Sequence, residues 1–203
     1  MSYAATHLGR VAGLFGEHVV LVGISLIVAL AIAVPLGIVA ARNARAATVI
    51  LGITGMLYTV PSLALLALLV AVLGLGTTTA VVALVVYAQM ILVRGVVAGL
   101  HGVDPALVDA ARGLGYTARQ SLLKVELPTA LPVILGGVRV ASVSLIALAT
   151  IAAWINAGGL GTLIFEGIRS YNTDKIVAGA LAAAVLAIAA DLALRACERA
   201  VRA

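Results

Sequence analysis

Asp104-Pro105-Ala106-Leu107-Val108-Asp109-Ala110-Ala111-Arg112-Gly113-Leu114-Gly115-Tyr116 is a polar island in an otherwise apolar chain. Its ends are legible. Asp104 is an N-cap candidate and Pro105 suits the first helical position, where a missing N–H costs nothing. Gly113 and Gly115 offer left-handed stops, and Thr117-Ala118-Arg119-Gln120 has the spacing of a capping box that opens a second helix. That second helix is predicted to end before Pro128, because proline disfavours helix at its predecessor. Two short helices meeting at a glycine corner are therefore expected, with small side chains at Ala110, Ala111 and Gly115 that allow close approach of another protein.

The rest of the chain sets where this island lies. Of 203 residues, 64% are hydrophobic and 10% charged, with a mean hydropathy of +1.22, against roughly 25% charged in soluble domains. Lipid is the solvent. Aromatics are 4%, too few for the girdles of an outer-membrane barrel, which leaves helices as the spanning solution. Apolar runs at 19–41, 48–73, 79–100, 132–156 and 175–195 each approach the roughly 20 residues needed to cross. The expectation is an all-α membrane protein of about five transmembrane helices. Residues 1–18, with Leu8, Val11, Leu14 and Phe15 at helical spacing, suggest an interfacial helix; residues 19–195 form the transmembrane domain and 196–203 a tail.

Lys and Arg counts give an orientation. Arg42, Arg45, Arg94, Arg112, Arg119, Lys124, Arg139, Arg195, Arg199 and Arg202 flank one side; Arg10, Arg169 and Lys175 flank the other. The first side is expected to be cytoplasmic, with the loop 101–131 and the C-terminus inside and the N-terminus outside. Arg94 and Arg139 lie a turn or two within their spans, where snorkelling to the interface is the simple expectation. The net charge of +5 sits at helix ends, which argues for membrane orientation and against nucleic acid. Pro35 and Pro61 predict kinks inside their spans. No leader with a basic region, apolar core and cleavage site is expected at the start.

The polar island carries a resemblance. Asp109-Ala110-Ala111, three residues, Gly115, nine residues, Val125, one residue, Leu127-Pro128 resembles the Glu-Ala-Ala…Gly…Ile-x-Leu-Pro signature of ABC importer permeases, with Asp for Glu and Val for Ile. Val60-Pro61-Ser62-Leu63-Ala64-Leu65-Leu66, Lys124-Val125-Glu126-Leu127-Pro128 and Asn156-Ala157-Gly158-Gly159-Leu160-Gly161 are similar to the permeases of osmoprotectant importers for glycine betaine, choline, carnitine or proline. Where such permeases commonly show Leu-Pro and Arg-Asn in the third span, this chain has Met90-Ile91 and Arg94-Gly95. The resemblance implies the type I importer permease fold in a bacterial inner membrane. It also implies that Asp109, Ala110, Ala111, Gly115, Val125, Leu127 and Pro128 belong to a coupling helix and its loop. The implied partners are a pair of ATPase subunits using ATP and Mg, a second permease chain, identical or paralogous, and an extracytoplasmic solute-binding protein. An importer for an amino acid or other small amine, and a passive channel of another class, are the rival readings.

No Gly-x-x-x-x-Gly-Lys-Ser/Thr occurs, so nucleotide is expected on another polypeptide. His7, His18 and His101 are scattered and Cys197 is alone, so no metal, disulfide or other cofactor is expected on this chain. No nucleophile and base share a span, so no catalytic residue is proposed. Tyr58, Ser62, Tyr87, Gln89, Trp154 and Asn156 are the polar or aromatic candidates for a translocation path, and aromatic faces suit a quaternary ammonium. The same side chains serve equally well as helix-packing groups. Gly158, Gly159 and Gly161 suit either an outer gate or a tight turn.

Overall fold

The structure, a computed structural model, describes residue 3 and residues 6–202. The first residues of the expected interfacial segment (1, 2, 4 and 5) and the last of the tail (203) lie outside the described residues. Within them the secondary structure is helical throughout, with no strand. The helices are α1 (Leu8–Arg42), α2 (Ala44–Thr59), α3 (Ser62–Leu73), α4 (Thr77–His101), α5 (Pro105–Gly113), α6 (Ala118–Ser121), α7 (Leu127–Ala152), α8 (Gly161–Arg169) and α9 (Thr173–Arg202). Four stretches are long and apolar enough to cross a membrane, and α2 with α3, bent by 97° where they join, pass the same test only as a pair. The chain is an all-α, multi-pass membrane protein.

No break separates residues 8–18 from the first apolar run: α1 is one helix of 35 residues. Between Leu8 and Ile24 there is no proline, serine, threonine, asparagine or aspartate to cap or kink it. At 1.5 Å per residue it extends about 52 Å, against about 30 Å of hydrocarbon, so its first turns continue past the bilayer core. Asn43 then accepts the amides of Arg45 and Ala46 at 2.9 and 3.1 Å, capping α2 and turning the chain back.

α4 lies at the centre, packed on α1 along one side and α7 along the other, with α9 on the far side of α7. Leu92, Val93, Ala141, Leu145 and Ala149 fill the core between them. α4 and α7 approach closely at Gly95 and Gly137, where a Cβ on either would meet the other's Cα at 3.2–3.3 Å. Such contact is the usual route to tight packing where lipid removes the hydrophobic drive between helices.

Two expectations are corrected here. Pro128 does not end a helix. A widened turn at Leu122–Glu126, with the amide of Leu127 reaching the carbonyl of Leu122, joins α6 to α7. A proline lacks its own N–H and crowds the carbonyl four residues back, here that of Lys124. Opening that turn to five-residue bonding removes the crowding and lets the helix continue through Pro128. Arg139, expected to reach for the interface, meets carboxylates on a neighbouring helix. Its Nε donates to Asp191 at 3.0 Å and its Nη1 to Glu198 at 2.9 Å, tying α7 to α9, while Arg195 pairs with Asp191 at 2.9 Å. Charges near the membrane are less costly when they meet a partner on a neighbouring helix.

Candidate functional site

The loop between α4 and α7 forms an elbow. The Asp104 carboxylate accepts the amide of Ala106 at 2.9 Å, and Pro105 follows in the first turn of α5. At the other end Tyr116 donates its amide to the carbonyl of Ala111 at 3.0 Å, and Gly115 donates to Arg112 at 2.9 Å. This six-to-one and five-to-two pairing is a Schellman stop, with Gly115 as its left-handed residue at φ +83°. Gly113 remains helical, so only one of the two candidate glycines turns the chain. Thr117 and Gln120 exchange both bonds of the capping box that opens α6.

The elbow turns its polar and apolar side chains outward. Ala111 is buried, Asp109 and Ala110 are exposed, and Asp109 pairs with Arg112 at 3.3 Å. Leu107, Leu114, Tyr116 and Leu123 are exposed, Leu114 by 78%. Val125 and Leu127 are half-buried and Pro128 is exposed. The root of the elbow is held to α1: Arg42 donates to the buried Glu126 at 2.6 Å, Ser121 donates to the other carboxylate oxygen at 3.0 Å, and His101 bonds the carbonyl of Ala41 at 3.1 Å.

The candidate path residues separate into three places. Tyr58, Ser62 and Tyr87 converge at the bend between α2 and α3, lining an open depression of about 460 Å³ with Thr59, Val60, Pro61, Ser144, Ala147 and Leu148. The rings of Tyr58 and Tyr87 meet edge to face, centroids 6.0 Å apart, and the Tyr87 hydroxyl donates to the carbonyl of Val60. Gln89 lies elsewhere, buried against α1, with its amide nitrogen donating to the carbonyls of Ala29 and Val85 at 3.3 and 3.2 Å. Trp154 and Asn156 sit at the end of the bundle, in and just after the turn Ala153–Ile155, with Asn156 in the left-handed region at φ 62°.

At that same end Gly158 and Gly159 form a left-handed pair, φ +79° and +76°. α1 holds them in place. The Glu17 carboxylate accepts the amide of Gly159 at 3.0 Å, and Nδ1 of His18 accepts the amide of Leu160 at 3.2 Å. Nε2 of His18, fully buried at 0% exposure, faces the carbonyl of Ile146 at 3.1 Å. A Cβ on Gly161 would fall inside the carbonyl group of Thr150. Neither Glu17 nor His18 stands out in the sequence as a residue of this loop. Two adjacent polar residues ahead of an apolar helix were the available signal, but their partners are 142 residues away.

No group of three or more His, Cys, Asp or Glu side chains among the described residues is placed to hold a metal. The arrangement offers an outward elbow, a bent segment with an aromatic-lined hollow, and a bolted loop at the opposite end.

The carnitine transport permease protein OpuCB of Listeria monocytogenes is 40% identical over 178 residues, 88% of this chain and 82% of that protein. The glycine betaine/carnitine/choline transport system permease protein OpuCB of Bacillus subtilis is 35% identical over 199 residues, 98% of this chain and 92% of that one. Among solved structures, a chain of the MetNI methionine ABC transporter superposes with a TM-score of 0.86 at 23% identity, covering 99% of both chains. The model of the binding-protein-dependent transport system inner membrane component matches residues 33–203, and the chain belongs to that family.

Proposed function

We propose that this chain is the permease subunit of an ATP-binding-cassette importer and forms half of the path for an osmoprotectant such as glycine betaine, choline, carnitine or proline. The observation that carries the reading is the elbow. A capped helix ends in a left-handed Gly115 and presents Asp109, Ala110 and Leu114 outward, and its root is pinned to α1 through Arg42 and Glu126. Force applied to such a knob is delivered to the bundle instead of being lost in a floppy loop. The two relatives named above support the solute class.

In this reading the elbow and the C-terminus are cytoplasmic and the N-terminus is outside, an orientation the Lys and Arg distribution supports. Two partner ATPase subunits, consuming ATP with Mg, seat the elbows of two permease chains, and a separate solute-binding protein delivers at the Gly158 end. Nucleotide-driven closure of the ATPases pushes Asp109 to Gly115 and switches the bundle between two rigid arrangements.

Reconstitution tests this directly. Liposomes holding the permease, its ATPase and its binding protein should accumulate carnitine, choline or betaine only with ATP, and equal uptake without the ATPase would instead establish a passive channel. Cys197, exposed and the sole cysteine, should take an impermeant maleimide in inside-out vesicles and resist it in right-side-out ones.

A further inference from the structure

We infer that the bend between α2 and α3 is a transit station for a methylated ammonium cation, an inference that rests on the proposed importer function and names the groups the solute meets. α2 stops at Thr59, and Val60 and Pro61 are extended, with ψ 128° and 134°, before α3 leaves at 97°. The carboxyl end of a helix therefore opens on the depression lined by Tyr58, Ser62 and Tyr87.

That end is electronegative without carrying a formal charge. The last carbonyls of any helix lack intrahelical partners, and together they amount to about half a negative charge. Here Met56 takes the Thr59 hydroxyl at 2.7 Å, Leu57 takes the amide of Val60 at 3.3 Å, and Val60 takes the Tyr87 hydroxyl. The carbonyls of Tyr58 and Thr59 accept nothing among the described residues. Pro61 explains part of this, since it has no N–H to offer back to the preceding turn.

Two tyrosine rings add to the same field. Tyr58 is 45% exposed and Tyr87 6%; both line the hollow, with their rings edge to face against each other. An aromatic face attracts a cation through its quadrupole. None of the residues lining the depression is charged.

This chemistry selects one class of ligand. A methylated ammonium has no N–H to satisfy, spreads its charge over methyl groups, and gains from carbonyl dipoles and ring faces. An anion is repelled by both. A primary ammonium loses strong hydration that three or four weak acceptors do not replace. The absence of a carboxylate also keeps the site shallow, and a transit site must release its passenger as readily as it accepts it.

The experiment uses the assembled permease–ATPase complex in liposomes and a photoreactive benzyl-trimethylammonium probe. Label is expected in the peptides containing Tyr58–Ser62 and Ser144–Leu148, displaced by tetramethylammonium but not by its neutral carbon isostere. Tyr58→Phe should keep the labelling and Tyr58→Leu should weaken probe affinity about 2- to 30-fold. Equal displacement by the neutral compound, undiminished labelling of Tyr58→Leu, or protection of these peptides by a second permease chain packed over them would overturn the inference. Uptake of choline, carnitine and betaine by the complex with its binding protein is measured alongside. Uptake with no specific label sinks the station alone, whereas specific label with no ATP-driven uptake sinks the importer reading.

Discussion

His18 and Leu160 are joined across 142 residues of sequence by a single bond, the amide of Leu160 donating to Nδ1 at 3.2 Å. With Nδ1 accepting, the ring proton resides on Nε2, which donates to the carbonyl of Ile146. One imidazole therefore links α1, α7 and the loop ahead of α8. His18→Ala leaves the buried amide of Leu160 without a partner, while the Ile146 carbonyl keeps its place in the α7 ladder, and should cost about 1–3 kcal/mol. Thermal unfolding in detergent measures the loss, and protease should begin to cut within residues 156–160. Gln at this position offers both a donor and an acceptor and should recover part of the stability.

Gly115 tests the elbow. No atom lies within 4 Å of the place a Cβ would occupy, but its φ of +83° disfavours any other residue. Gly115→Ala should cost about 1 kcal/mol locally. Gly115→Trp should abolish solute-stimulated ATP hydrolysis by the complex while membrane insertion stays normal; intact stimulation would remove the coupling role. Gly113→Ala, at a helical position with open space around it, should instead firm α5 by about 0.5–1 kcal/mol.

Gly161 permits no side chain at all. The obstacle is the backbone of Thr150, which cannot rotate away as a long side chain would. Gly161→Ala should cost at least about 3 kcal/mol and lift α8 from the end of α7. Loss of a monodisperse peak on size exclusion, with synthesis unchanged, is the expected result.

The pair at the elbow's root invites a double-mutant cycle. Arg42→Ala leaves Glu126 buried with only Ser121 as partner and should cost about 1–3 kcal/mol. Once Glu126→Gln is present, the further cost of Arg42→Ala should shrink; additive losses would show that the two residues act separately.

Much of the fold was legible because it is written locally. Span lengths follow from apolar runs, and Asp104, Pro105, Thr117 and Gln120 announce their caps within four residues of their partners. The bend at Pro61 was visible as a kink, though its 97° depends on packing against α4 and α7. What escaped was bonded at long range. Arg139 meets Asp191 and Glu198, Arg42 meets Glu126, and Glu17 meets Gly159, none of which periodicity can indicate. Among the path candidates, residue type grouped Gln89 with the tyrosines, and only the helix rotation shows that it faces α1 instead.

The widened turn at Leu122–Glu126 has a consequence for assembly. Each residue advances a helix by about 100°, so a turn that accommodates one extra residue swings everything before it by that angle relative to α7. The compass bearing of Leu123, Tyr116 and Leu114 around the bundle is thus set by where Pro128 falls. Moving that proline by one position would aim the knob at a different quadrant while leaving its own shape intact.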